Sequence, residues 1–181
     1  MNIAIISSST RPGRTSHRAA LALKKAIETS GNTVNFIDLK VLELPLFGER
    51  FAFLTESERT ENMIKIAEML QQSKAIIFVT PEYNGSISTG LKNLLDTFGK
   101  AEFAGKPIGV ATASTGILGG MRAAQQLQVN ILGVGAYPQP QMLTIGEVDK
   151  QMDTEGEVLN SAFEAKLNSF VSSFLGFAGR F

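Results

Sequence analysis

Short apolar runs alternate with amphipathic segments along most of the chain, and this alternation restricts the possible folds more than any other feature. The runs that predict strands are Ile3–Ile6, Thr33–Asp38, Ala75–Thr80, Ile108–Ala113 and a segment between Gly133 and Ile145 that Pro138 and Pro140 interrupt. The segments with apolar residues at helical spacing are 15–30, the stretch after Thr55, 91–98, 119–132 and 156–175. Five strands that alternate with five helices predict an α/β fold, in which helices cover both faces of a parallel sheet.

Three segments carry local signals of their own. Thr55–Glu58 matches a capping box, which predicts that the second helix begins there. The polar stretch Gly146–Gly156 predicts a loop. Leu159 continues the helical spacing of the last segment, so we expect it on the buried face of the final helix.

Composition excludes several classes of function. The chain has 181 residues, 44% of them hydrophobic, which fits one domain spanning residues 1–181. Lys plus Arg and Asp plus Glu both number 17, so a formal net charge of zero argues against nucleic-acid or membrane-surface binding. The absence of cysteine excludes disulfides and thiolate chemistry, and the single histidine excludes a multi-histidine metal site. We expect no metal.

The location is predicted from what the sequence lacks. The first residues carry no basic lead-in before their apolar run, which does not resemble a signal peptide. No segment approaches the roughly 18 uninterrupted apolar residues of a membrane-spanning helix. The expected location is the cytoplasm.

The loop after the first strand, Ser7–His17, is dense in hydrogen-bond donors. It contains several hydroxyl groups and two arginines, and it leads directly into a helix. Helix N-termini, hydroxyls and guanidinium groups all favour anions, so we predict a phosphate site. The alternative is an ordinary helix cap with solvated charges. No Walker A or dinucleotide glycine motif is present, and a monophosphate is therefore the better match.

Two further loops are expected at the same edge of the sheet. In a parallel sheet of order 2-1-3-4-5, ligands bind between the carboxyl ends of the first and third strands. The loop after the third strand, Thr80–Ser88, contains a proline and an Asn-Gly turn signal, and either holds the edge of a flat ring or is only a tight turn. The loop after the fourth strand, Ala113–Gly120, contains glycines that permit close approach of a ligand, or simply cap the next helix.

These pieces together resemble the NADPH-dependent FMN reductase family of the flavodoxin-like superfamily. The matching motifs are Ser9–Arg14, Pro81–Gly85, Leu91–Asn93 with Asp96, and Gly119–Gly120. The resemblance extends from Asn2 to about Ile145, and the Pro-Glu-Tyr-Asn motif is its most specific part. It implies a flavodoxin-like three-layer sandwich with a five-stranded parallel sheet of order 2-1-3-4-5.

The resemblance also implies the cofactor and its binding residues. The FMN phosphate is expected on Ser9, Arg11, Thr15, Ser16 and His17. The isoalloxazine is expected against Pro81, Glu82, Tyr83, Asn84 and Gly85, and against Ser114, Thr115, Gly116, Gly119 and Gly120. Members of the family are commonly homodimers or homotetramers with the Lys92–Asp96 helix at an interface. One departure is that Ser88-Thr89-Gly90 stands where a proline is frequent, so the loop over the flavin is expected to be less rigid.

The implied activity is hydride transfer from NADPH or NADH through FMN to a small acceptor, such as a flavin, quinone, azo compound or metal oxyanion. Donor and acceptor share one face of the flavin, which predicts ping-pong kinetics. We assign no catalytic acid or base: Tyr83 is either an aromatic wall or a proton donor. Arg14 is a candidate for the NADPH 2′-phosphate by position only.

Two alternatives remain at this point. The first is an electron carrier without its own NAD(P)H turnover, although zero net charge is unlike the strongly acidic flavodoxins. The second is a flavin-binding sensor that holds FMN and does not react with NAD(P)H.

Overall fold

The computed structural model describes residues 1–181 and arranges them as a parallel sheet between two layers of helices. The strands are Asn2–Ser7 (β1), Thr33–Asp38 (β2), Ala75–Pro81 (β3), Pro107–Ala113 (β4), Tyr137–Pro138 (β5) and Leu143–Ile145 (β6). The α-helices are Ser16–Thr29 (α1), Glu61–Gln72 (α2), Thr89–Thr97 (α3), Lys100–Phe103 (α4), Met121–Gly133 (α5), Val148–Gln151 (α6) and Ser161–Ala178 (α7). The order β2-β1-β3-β4-β5 confirms the predicted topology, and β6 adds a sixth strand paired with β4.

The central strands are apolar on both faces because helices cover both. Alternate residues of a strand point to opposite faces, so Ile3 and Ile5 pack with α1 and α7. Ala4 and Ile6 belong to the second core cluster, which includes residues of α2, α3 and α5. Two buried cores of this kind explain why the strands appear as continuous apolar runs rather than as alternating ones.

The fifth predicted strand is split in two. Ile108 pairs with Pro138, and the amide of Gln139 donates to the carbonyl of Ile108 at 2.8 Å. Pairing then stops and resumes only at Leu143, opposite Ala111. Proline has no N–H to continue the ladder, so the interruption predicted at Pro138 and Pro140 becomes a break between β5 and β6.

Three local predictions are wrong. The Thr55–Glu58 capping box is formed, but it caps a 3-10 turn at Glu56–Glu58, and α2 begins at Glu61 with Thr60 as its N-cap. Gly146–Gly156 is not all loop, because α6 buries Val148 in the core. Leu159 precedes α7 and is exposed.

The helices differ in length, from the four residues of α4 and α6 to the eighteen of α7. None of them combines the length and the apolar composition that crossing a bilayer requires.

Candidate functional site

The loops after β1, β3 and β4 meet at the carboxyl edge of the sheet around a cavity of about 290 Å³. β1 lies between β2 and β3, so the cavity occupies the switch point at which the sheet order reverses. The predicted site residues that line it are Ser9, Arg11, Thr15, Ser16, Pro81, Glu82, Tyr83, Ser114 and Thr115. The other predicted residues lie around this cavity and not on its wall: His17, Asn84, Gly85, Gly116, Gly119 and Gly120.

The loop after β1 brings hydroxyl groups and a helix N-terminus to the cavity. Ser9 is fully buried, and its Oγ lies 2.8 Å from the Tyr83 hydroxyl, which joins this loop to the one after β3. Thr15 precedes α1, and its side chain makes no capping bond to the helix. Since the first N–H groups of a helix lack partners within it, they remain available to an anion.

Arg11 and Arg14 have different surroundings. Arg11 is exposed, forms no ion pair, and places its guanidinium carbon 5.4 Å from the centre of the Tyr83 ring. Arg14 is largely buried and forms a two-pronged ion pair with Asp38 at the end of β2. It also donates to the Ser9 carbonyl at 3.0 Å. Arg14 thus makes its contacts within the protein while also lining the cavity, and its contact with the NADPH 2′-phosphate stays a prediction.

His17 lies next to the loop after β1 and not on the cavity wall. Its Nδ1 is 2.9 Å from Ser7 Oγ and 3.8 Å from Asp38. Burial lowers the pKa of His17 below its ordinary value, and the nearby charge of Arg14 lowers it further, with Asp38 opposing both. As a neutral imidazole bonded to Ser7, His17 helps to support the loop after β1.

Asp38 is charged although it is largely buried. Burial alone would raise its pKa, but the hydrogen bonds from Arg14 and from the Lys40 amide outweigh that effect and hold the pKa below its ordinary value. Sequence reasoning missed Asp38. An acidic residue that ends a strand beside the switch point was the available signal.

The loop after β3 is a tight hairpin that contacts α5. Tyr83 and Ser86 exchange backbone hydrogen bonds across Asn84 and Gly85, whose φ angles are +50° and +77°. Positive φ at both central positions is the geometry that an Asn-Gly pair favours. The Glu82 carboxylate accepts from the amides of Arg122 and Ala123 at 3.1 and 3.3 Å. Glu82 thus occupies the N-terminus of α5, and a contact between its carboxylate and a ligand would compete with that role.

The loop after β4 presents Ser114 and Thr115 to the cavity, while Gly119 and Gly120 serve its packing. A Cβ on Gly119 would lie 2.7 Å from the backbone of Ile145 and Gly146. Gly120 has a φ of +84° and stands directly before α5. These two glycines are required by the approach of the loop to β6 and by the entry into α5.

Residues in and just before α3 contact the loops near the cavity without lining it. Ser88 caps α3 by accepting from the Leu91 amide, and its hydroxyl lies 2.8 Å from that of Ser8. Ser88 is buried and bonded where a proline is frequent, and the lower rigidity expected of this loop stays a prediction. Asn93 donates to the Pro45 carbonyl and accepts from the Phe47 amide, at 2.8 and 2.7 Å. Asn93 thus fixes the long loop after β2 to α3, a role that the sequence did not predict.

Comparison with known proteins agrees with this geometry. Residues 1–150 match the model of the NADPH-dependent FMN reductase family. A quinone reductase of Pseudomonas putida is 29% identical over 183 residues, covering 96% of this chain and 92% of that protein. An NADPH azoreductase of Bacillus sp. (strain OY1-2) is 30% identical over 121 residues, and the match spans 66% of this chain but only 65% of that protein's length.

Among solved structures, the chain is similar to FerB, a flavoenzyme NAD(P)H:(acceptor) oxidoreductase from Paracoccus denitrificans. The TM-score is 0.83 at 24% sequence identity, over 99% of this chain and 97% of the other. At that level of identity the likeness establishes the fold.

Proposed function

Because this chain belongs to the NADPH-dependent FMN reductase family, we propose that it is an NAD(P)H oxidoreductase that reduces a quinone or a similar small acceptor with two electrons. The observation that carries the proposal is the polar cavity at the switch point, formed by loops from three neighbouring strands. The relatives named quinone reductase and azoreductase suggest the class of acceptor.

The donors around the cavity fit the phosphate of FMN. Arg11 carries a full positive charge with no acidic partner, and Ser9, Thr15 and Ser16 add hydroxyls beside the N-terminus of α1. The carboxylate on the cavity wall, that of Glu82, is turned to the N–H groups of α5. A dianionic phosphate would therefore meet donors and no free negative charge, as a phosphate site requires.

The remaining wall fits a flat ring. Pro81 and Tyr83 supply apolar surface to the cavity wall, and Ser114 and Thr115 supply polar groups to it. Bound there, FMN would accept hydride from NAD(P)H and pass two electrons onward. No histidine or unengaged carboxylate lies on the cavity wall. The side chains of the wall would therefore bind and orient FMN, and we assign none of them as an acid or a base. The Tyr83 hydroxyl is bonded to Ser9, which favours a role in holding the two loops together.

The order of events is a further part of the proposal. Donor and acceptor would use the same opening in turn, which predicts ping-pong kinetics. Initial rates against NADPH at several fixed quinone concentrations should give parallel lines in a double-reciprocal plot. Intersecting lines would show that both substrates bind together and would contradict a shared opening.

We also propose that the protein is a homodimer or homotetramer. Large apolar side chains are exposed on the loops near the site, including Leu46, Ile117 and Leu118. Exposed apolar surface of this kind is frequent at protein interfaces, and a net charge of zero offers little repulsion. Light scattering coupled to size exclusion measures the mass directly, and a monomer at micromolar concentration would contradict the proposal.

The first test of the activity is the visible absorbance spectrum of the purified protein, with FMN added and then anaerobic NADPH. Flavin bands near about 370 and 450 nm that bleach with NADPH would support the proposal. A protein that takes up no FMN would overturn it. A protein that holds FMN but shows no bleaching and no quinone-dependent NADPH oxidation would be a carrier or a sensor.

A further inference from the structure

The ion pair between Arg14 and Asp38 connects the end of β2 to the loop after β1. Each side chain is only about one-eighth exposed, at 12% for Arg14 and 13% for Asp38. Both terminal nitrogens of the guanidinium bond the two carboxylate oxygens, the second at 2.5 Å. The pair is two-pronged and largely shielded from solvent, an arrangement in which lysine does not readily replace arginine.

Arg14 has a third contact that is part of the site. One terminal nitrogen also donates to the Ser9 carbonyl at 3.0 Å. Ser9 lies on the cavity wall and stands two residues before Arg11. The direction of the backbone at Ser9 therefore helps to set where the following peptide groups and the Arg11 side chain lie.

We propose that Arg14 is a positioning residue for the cofactor phosphate, which acts through the Ser9 carbonyl and is itself held by Asp38. The inference rests on the proposed function, since it assumes that the loop binds the FMN phosphate. Arg14 and Asp38 work as one unit: Asp38 fixes the guanidinium, and the guanidinium fixes the loop. The donors of the loop are then ordered before the phosphate arrives, which removes part of the entropic cost of binding.

A purely electrostatic role for the pair predicts a different result. If Arg14 acted by attracting the phosphate, its neighbour Asp38 would oppose it, and neutralising Asp38 would tighten FMN binding. If the pair positions the loop, neutralising Asp38 releases Arg14, and FMN binding weakens although a negative charge has been removed. Whether Asp38→Asn strengthens or weakens FMN binding therefore separates the electrostatic role from the positioning role.

The experiment measures FMN dissociation constants by quenching of flavin fluorescence, for the wild type, Arg14→Gln, Arg14→Lys, Asp38→Asn and the double variant Arg14→Gln/Asp38→Asn. We expect Arg14→Gln and Asp38→Asn each to raise the dissociation constant by about tenfold or more, the effect of losing a hydrogen bond to a charged group. Arg14→Lys should recover only part of the loss, because a single ammonium cannot reproduce the two-pronged contact of the guanidinium with both carboxylate oxygens of Asp38. The double variant should be little weaker than either single one, as expected for residues that act as a unit.

Riboflavin and a control variant separate a local effect from a general loss of structure. Riboflavin lacks the phosphate, so the ratio of FMN to riboflavin affinity should fall in the Arg14 and Asp38 variants. Arg18 is on α1, just beyond the loop, and forms an ion pair with Asp149 at 2.7 Å. Arg18→Gln removes a neighbouring, more exposed ion pair with no link to Ser9, and should leave that ratio unchanged.

The outcomes are distinguishable. Wild-type protein that fails to bind FMN would overturn the proposed function itself. Wild-type protein that binds FMN while Asp38→Asn binds it equally well or more tightly would overturn only the positioning role. An equal loss of FMN and riboflavin affinity would also overturn it, since the loss would then not concern the phosphate.

Discussion

Arg11 is the guanidinium at the site that no carboxylate neutralises. We expect Arg11→Ala to weaken FMN binding by about 1.5–3 kcal/mol, the range for a hydrogen bond to a charged group. Isothermal titration with FMN measures the change. Arg180→Ala is the control, because Arg180 is also exposed but follows α7, away from the cavity wall. Equal FMN affinity in Arg11→Ala and the wild type would show that the phosphate lies elsewhere.

His17 should make stability depend on pH in a predictable direction. Burial lowers its pKa in the folded state, so the unfolded chain binds more protons just below the ordinary histidine value of about 6.5. The stabilisation is present above that pH and is lost as the pH falls through the folded pKa. Urea unfolding between about pH 7.5 and 5 should therefore give a free energy that declines as the pH falls.

The variant His17→Gln provides the comparison for this slope. It should show a flatter dependence over the same range, because His17 is the single histidine of the chain. Its overall stability also changes through the lost contacts with Ser7 and Phe36, so the slope is the quantity to compare. Identical slopes in the two proteins would mean that His17 titrates normally in the folded state.

At the scale of elements, α3 approaches the loop after β1 closely enough to require a glycine. A Cβ on Gly90 would lie 2.7 Å from the carbonyl oxygen of Ser8. Glycine to alanine within a helix normally adds about 0.5–1 kcal/mol of stability. We expect the opposite for Gly90→Ala, a loss of about 1–3 kcal/mol, because the helix or the loop must move. FMN affinity should fall as well, since Ser8 precedes Ser9 on the cavity wall.

The matched control for this prediction is Gly176→Ala in α7. A Cβ there has no neighbour within 4 Å, so the usual stabilisation should be observed. If the m-value is unchanged, the shift in urea denaturation midpoint gives the change in the free energy of unfolding for each of the two variants. If the two substitutions shift the midpoint in the same direction, the close approach of α3 to Ser8 is not a constraint.

Some strands and helices could be predicted from the sequence, and others could not. β1, β3 and β4 are continuous apolar runs because both of their faces are covered, and their positions were visible in the sequence. The start of α2 was not, because Thr55 and Thr60 both offer cap chemistry and only tertiary packing chooses between them. That the loop after β1 is rich in hydrogen-bond donors could be predicted from its composition. Their support by Asp38 could not, because its contact with Arg14 spans 24 residues of sequence.

At the scale of the whole molecule, the site exists only when the sheet is assembled. Ser9, Tyr83 and Ser114 come from loops far apart in sequence, and they share one cavity because β1, β3 and β4 are neighbours. An unfolded chain offers no such cavity, so FMN should bind the folded state alone. Free FMN then raises the free energy of unfolding by an amount that grows with the logarithm of its concentration relative to the dissociation constant.

This coupling gives a quantitative expectation for the intact protein. At a free FMN concentration of about 100 times the dissociation constant, the free energy of unfolding should rise by about 2.7 kcal/mol. Urea unfolding at increasing FMN measures the rise, and its dependence on concentration yields a dissociation constant independent of any spectral change. The Arg11→Ala variant should need proportionally more FMN for the same gain, because its site is weaker while its fold is unchanged. If FMN left the unfolding midpoint of the wild type unmoved at saturating concentration, the flavin would be binding the unfolded chain equally well, and the loops around the sheet edge would not form its site.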